Sequence, residues 1–162
     1  MGNAPSIGSN VFQAAASGFT VYYFNGATGF TSPLWNSYPA VSMGNSSPVV
    51  PWLLSNGFAY NSDLQADPNG DGVNLLMAYA LSLDPKRNLS GSMPVAVVGQ
   101  DAISMTFYGA SPGIAYRVET SEDLQYWVTD GVSLSGIGGD GMRTATADRN
   151  SPRRFLRLVV HD

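Results

Sequence analysis

Ile103-Ser104-Met105-Thr106-Phe107 alternates apolar and polar side chains residue by residue, the period of a strand with one buried face. The same beat returns at Tyr116, Val118 and Thr120, and again at Leu156, Leu158 and Val160. Tyr126-Trp127-Val128, Val132–Leu134 and Met142–Thr146 add further strand-like runs between them. Turn-forming residues punctuate the series at Gly109–Gly113, Ser121–Asp123, Gly136–Gly141 and Asn150–Pro152. About six short strands with turns every 8–12 residues predict a mainly β chain, with a small antiparallel β-sandwich over residues 90–162. Trp127 is expected to plug its centre.

Upstream of residue 90 the period changes. Val73, Leu76, Met77, Ala80 and Leu81 fall on one face of a helix that Asp84-Pro85 should stop. Pro51 is placed to open a second short helix, Trp52 to about Asn56, closed by Gly57. The stretch from Thr31 to Pro51 carries Pro33, Pro39, Pro48 and Pro51 and reads as a linker or wrapped loop. Phe19–Phe24 is β-branched and aromatic and ends at Asn25-Gly26, a strand followed by a turn. Residues 3–17 are small and polar and read as a loosely docked start. Three segments result: 1–50, a strand-bearing start and linker; 51–89, a helical loop segment; and 90–162, the sandwich.

Composition narrows the function classes. Only 12% of the 162 residues are charged, against about 25% in average proteins. Residues 1–62 contain no Asp, Glu, Lys, Arg or His, and all seven arginines follow Lys86. A net charge of −4 argues against a nucleic-acid partner. No apolar run approaches the ~18 residues of a membrane span. Such polar, charge-poor, cysteine-free texture suits a secreted or cell-surface bacterial protein, although the lack of cysteine by itself is equally compatible with cytosol. Met1–Ser6 lacks both a basic region and an apolar core, so no signal peptide is expected there.

One stretch carries metal chemistry. Asp67-Pro68-Asn69-Gly70-Asp71-Gly72-Val73 puts oxygen side chains at loop positions 1, 3 and 5, then a glycine and an apolar residue whose carbonyl can add another oxygen. That is the first half of an EF-hand loop, and Ca²⁺ is the cation it suits. Position 12, where a bidentate Glu belongs, is Ala78. Asp63, Asn74, Asp84 or water would have to complete the shell. The competing interpretation is that Asp71 and Asn69 cap the helix that follows.

The run Asp67–Pro85 resembles a D-P-D-G-D-G-x-x-N-L-x-E-Y-A-L-G-x-D-P motif found near the C-termini of large secreted bacterial proteins. It is similar to the calcium loops of dockerins and thrombospondin type 3 repeats. In that family a small β-domain follows, with a Y-x-V-E-x-S-x-D-L-x-x-W run and an R-F-L-R-L-x-V end. Tyr116–Trp127 and Arg154–Val160 are the matching stretches. Leu75 and Ala78 stand where the family has Asn and Glu. The resemblance implies a non-catalytic C-terminal accessory module, with upstream domains of the same polypeptide or cell-surface components as partners. Val21–Pro39 resembles, more loosely, the closing strand and proline-rich exit of bacterial surface repeat domains.

Other candidates carry less. His161, the single histidine, is penultimate, and a catalytic histidine must be buried and oriented. Glu119 and Glu122 fall in a strand and its turn, where structural or solvated roles are expected. Arg153, Arg154 and Arg157 could form an anion site, but alternate strand residues share one face, so a solvated outer face is expected. Gly136–Gly141 reads as a hairpin loop. Trp35, Tyr38 and Tyr22 could stack against sugar rings, which makes a carbohydrate-binding module, with polysaccharide as partner, the alternative function; internal packing is the expected role. No nucleophile-and-base set is visible, and no enzymatic activity is expected.

Overall fold

Residues 3–162 are described by a computed structural model; Met1 and Gly2, the first two residues of the stretch in which no signal peptide is expected, lie outside the described residues. The chain is mainly β, with 28% strand and 8% helix. It divides into two compact units, Met1–Pro51 and Trp52–Asp162.

The first unit holds β1 (Val21–Tyr23), β2 (Leu34–Trp35) and β3 (Tyr38–Ser42). The proline-rich stretch therefore forms sheet, not only linker. Central β3 pairs in parallel with β1 and antiparallel with β2. Pro39 sits in it opposite Leu34, and the ladder bond is made next door, by Ala40 N–H to Pro33 O at 2.8 Å. Asn36 and Ser37 form the two-residue turn between β2 and β3, both at positive φ (47° and 69°), as a tight hairpin requires. The polar start is tied down by Ala4 N–H to Thr28 O at 2.8 Å and by the Phe12 ring on Phe19 and Tyr38.

Helix α1 (Val49–Ser55) runs through the boundary between the units, with Pro51 as its third residue. It ends where Gly57, at φ 79°, lets Phe58 N–H reach back to Leu53 O, a turn only glycine makes without strain. In the second unit α2 (Leu75–Ala80) precedes β4 (Ala96–Val98), β5 (Ala102–Tyr108), β6 (Ala115–Ser121), β7 (Val132–Leu134), β8 (Met142–Asp148) and β9 (Phe155–His161). The strands form an antiparallel sheet in the order β4-β5-β8-β7 and an antiparallel pair β6-β9. Ile103, Met105 and Phe107 all point inward, as their alternation requires.

The core joins both sheets and the helix end: Met105 and Phe107 of β5, Val118 of β6, Ala145 of β8 and Leu81 after α2. Phe107 fills the centre, at 2% exposure. Trp127 does not plug it. Its indole lies outside, donating Nε1–H to Leu124 O at 3.1 Å, with the Arg157 guanidinium 4.2 Å from its ring centroid. Arg157 is accordingly no free outer-face charge: it also pairs with Glu119 at 2.7 Å, and Arg117 meets the same carboxylate at 2.9 Å. The glycine-rich stretch Gly136–Gly141 is the β7–β8 hairpin loop, as expected. Exposed His161 closes β9 opposite Ala115.

Candidate functional site

The Asp67–Leu89 loop is built from backbone amides that need acceptors. Asp67 Oδ1 takes the N–H groups of Gly70 and Asp71 at 3.0 and 3.3 Å, and Oδ2 takes that of Gly72 at 2.7 Å. Asp71 Oδ1 accepts from Val73 at 2.9 Å, and Oδ2 accepts from Leu89 at 2.6 Å. The Leu89 amide, foremost, holds the Asp71 carboxyl below its ordinary value; burial opposes it, and the Val73 amide and then the Asn69 side chain act in the same direction as Leu89.

Asn69 works as a donor. Its Nδ2 reaches Asp71 Oδ2 at 3.1 Å, Pro85 O at 3.3 Å and Arg87 O at 2.7 Å, while its Oδ1 accepts the Asp71 amide at 3.3 Å. Three oxygens surround a neutral amide where a metal loop would present an oxygen to a cation. The chain returning through Pro85–Leu89 is thereby sewn to the loop, and buried Leu89 packs with Val73 and Ala78.

The helix behind the loop is capped by Asn74, not by Asn69 or Asp71. Asn74 Oδ1 accepts the Met77 amide at 2.8 Å, and its Nδ2 donates to Gln65 Oε1 at 2.9 Å. Leu75 and Leu76 N–H groups go to Ala66 O and Leu64 O at 2.9 and 2.8 Å, so the first-turn donors all have partners. At the other end Ser111 Oγ donates to Tyr79 O at 2.8 Å and Tyr116 OH to Ala80 O at 2.7 Å, while Tyr79 OH reaches Pro112 O at 2.9 Å. Burial raises the Tyr79 phenol above its ordinary pKa, followed by the neighbouring tyrosines Tyr116 and Tyr108. Ser82, at φ 56°, ends the helix before Asp84-Pro85 is reached.

Of the six expected calcium ligands, the structure gathers Asp67, Asn69, Asp71 and Val73 into one loop. Asp63 and Asp84 serve turns of their own: Asp63 Oδ1 accepts from Gln65 at 2.9 Å, and Asp84 accepts from Lys86 at 3.0 Å and faces Arg87 at 3.4 Å. Among the described residues no three His, Cys, Asp or Glu side chains come together closely enough to hold a metal ion. Two carboxylates and one carbonyl fall short of the six to eight oxygens that Ca²⁺ takes, and the Asn69 amide group turns N–H toward the others. In this arrangement the Asp67 and Asp71 carboxylates are engaged by backbone amides, and the Asn69 amide group by Asp71 and the Pro85 and Arg87 carbonyls.

The aromatic candidates separate. Trp35 is buried, with Phe30 4.9 Å away, and Tyr38 meets Phe12 edge-on at 5.2 Å. Tyr22 alone is well exposed, at 60%. Tyr38 also lines a cleft of about 460 Å³ with Ser9, Asn10, Asn36 and Ser37. Sequence reading missed the partners that matter most at the loop, the Leu89 amide and the Pro85 and Arg87 carbonyls, because backbone groups carry no residue-type signal.

Among the described residues no helix is long and apolar enough to cross a membrane. The chain matches no family model, no curated protein and no solved structure, so the function of this loop has to be argued from its own geometry.

Proposed function

We propose that the chain is a non-catalytic structural or anchoring module of a secreted or cell-surface bacterial protein, in which the Asp67–Leu89 loop and α2 brace the β domain. One observation carries this. Six residues of helix are too few to stand alone, yet both ends of α2 are satisfied by side chains and carbonyls of the surrounding fold. The carboxylates of Asp67 and Asp71 are engaged in holding backbone, a structural use of acidic groups. Calcium is not needed for that role.

The experiment is thermal unfolding of the whole chain together with turnover assays on polysaccharide, ester and peptide substrates. The proposal expects cooperative unfolding of residues 52–162 and no turnover. Turnover abolished by a single substitution would overturn it, and fractionation with surface proteolysis of the source cells tests the location.

A second reading rests on the polar cleft beside Tyr38. An aromatic edge among Asn and Ser side chains has the chemistry of a neutral sugar site. Ser9→Ala removes a polar group from that cleft at a position without positive φ; loss of polysaccharide retention on affinity gels at an unchanged melting temperature would favour a carbohydrate-binding module.

A further inference from the structure

Arg149, Arg153 and Arg154 line one cleft of about 250 Å³ in the second unit, with Val98, Ile103 and Phe155 as its apolar wall. On a chain of net charge −4 with eight basic residues, three in one cleft is a local reversal of sign. The grouping differs from the one sequence suggests: Arg157 belongs to Glu119 and Trp127, and Arg149 takes its place.

Hydrogen bonds to backbone carbonyls hold Arg149 and Arg154, and the one carboxylate paired with any of the three arginines, Glu122 on Arg154, stands at the outer limit of an ion pair. Arg149 Nη1 donates to Gly99 O at 2.8 Å and to Gln100 O at 3.4 Å. Arg154 Nε donates to Asp148 O at 3.1 Å. The Glu122 carboxylate stands 4.0 Å from Arg154 Nη1, beyond hydrogen-bonding distance. Arg153 is exposed and has no hydrogen bond or ion pair among the described residues. The Arg154 side chain is only 17% exposed. A guanidinium offers five N–H donors, and a largely buried one with a single close acceptor is costly until an anion meets it.

We propose that this cleft is an oxyanion subsite that takes a sulfate or carboxylate group. Arginine forks match the oxygen spacing of such groups, and the apolar wall accommodates carbon attached to them. The proposal is independent of the structural role assigned to the Asp67–Leu89 loop.

The test is isothermal titration of the full chain with sodium sulfate and, separately, with sodium glucuronate, at constant ionic strength held by sodium chloride. A saturable signal is expected with at least one of them. Arg153→Ala should weaken it about tenfold or more while melting like the parent, because Arg153 holds no other part of the fold. Sulfate also stabilises folded chains generally by exclusion from their surfaces, and that effect is common to both proteins, so the difference between them is the readout. Sulfate alone indicates a tetrahedral ligand; glucuronate alone indicates a carboxylate-bearing sugar. Equal binding by parent and Arg153→Ala, or none with either salt, overturns the site.

Discussion

Asp71 Oδ2 accepts the Leu89 backbone N–H at 2.6 Å, closing a loop of chain between residues 18 positions apart. Leu89 is buried beside Val73 and Ala78, so that bond fixes an apolar anchor as well as an amide. Asp71→Ala removes the acceptor for both Leu89 and Val73. The variant should melt below the parent, and its Leu89 amide should exchange with deuterium much faster than that of Phe107, which lies in the central ladder. Unchanged protection at Leu89 would refute the role assigned to Asp71.

Acid should act through the same carboxylate. Asp71 and Asp123 both titrate below the usual 3.8 in the fold; Asp71 is lowered chiefly by the Leu89 amide, Asp123 by the Tyr126 and then the Gln125 amides. As acid is added, the unfolded chain takes up these protons first. Both groups therefore support the fold fully above the ordinary carboxylate value, and that support fades as pH falls through their lower native values. Stability should be insensitive to these two groups at neutral pH and decline in strong acid. Carboxyl-detected NMR titration checks both, and Asp71→Asn should flatten part of the acid dependence.

Calcium and excess chelator should give the parent the same melting temperature, since the Asn69 amide already links Asp71 to Pro85 and Arg87. Asn69→Asp replaces that donor with a third carboxylate facing three oxygens. It should lower the melting temperature in chelator and make stability rise with calcium, by the amount that ligand binding to the native state dictates. A shift of several degrees in the parent itself would show that the loop takes the ion after all.

Phe107 and Trp127 reverse the roles their sizes suggest. Phe107→Ala should cost about 3–5 kcal/mol, the range for emptying a buried aromatic site. Trp127→Ala removes a half-exposed ring stacked on Arg157 and should cost about 1 kcal/mol. Paired denaturant curves distinguish them, and a larger loss for Trp127 would contradict the core described above.

Strands β5, β6, β8 and β9 were legible because alternation is written in side chains: Ile103, Met105 and Phe107 needed no tertiary information, whereas Tyr126-Trp127-Val128 forms only an isolated bridge from Val128 to Thr120, and β4 carries no such alternation. The β2–β3 hairpin was hidden, since Asn36-Ser37 lacks the glycine that usually marks so tight a turn and Pro39 argues against a central strand. Trp127 was misplaced because size suggests burial, whereas its indole N–H and the Arg157 cation favour a half-wet site. At the loop, Asp67 and Asp71 were found by residue type. Their partners are amides and carbonyls from the returning chain, and Asn69 reads as a ligand until its nitrogen is seen facing acceptors.

Thr120 has no exposed surface, and its Oγ1 has no hydrogen-bond partner. Its backbone is fully used: Thr120 exchanges bonds with Val128 at 2.8 and 3.0 Å and lies opposite Leu156 in the β6-β9 pair. The hydroxyl therefore bears a desolvation cost with nothing in return. Valine has the same branched shape, suits a strand and removes the unpaired oxygen. Replacing a buried unsatisfied group by an apolar one of equal shape recovers part of a penalty of about 1–3 kcal/mol. Thr120→Val should thus raise stability by about 1 kcal/mol, read as a higher denaturant midpoint at unchanged slope. A loss of that size would mean that Oγ1 has an acceptor in solution, a buried water being the obvious one, and high-resolution density or water-detected NMR at that hydroxyl would identify it.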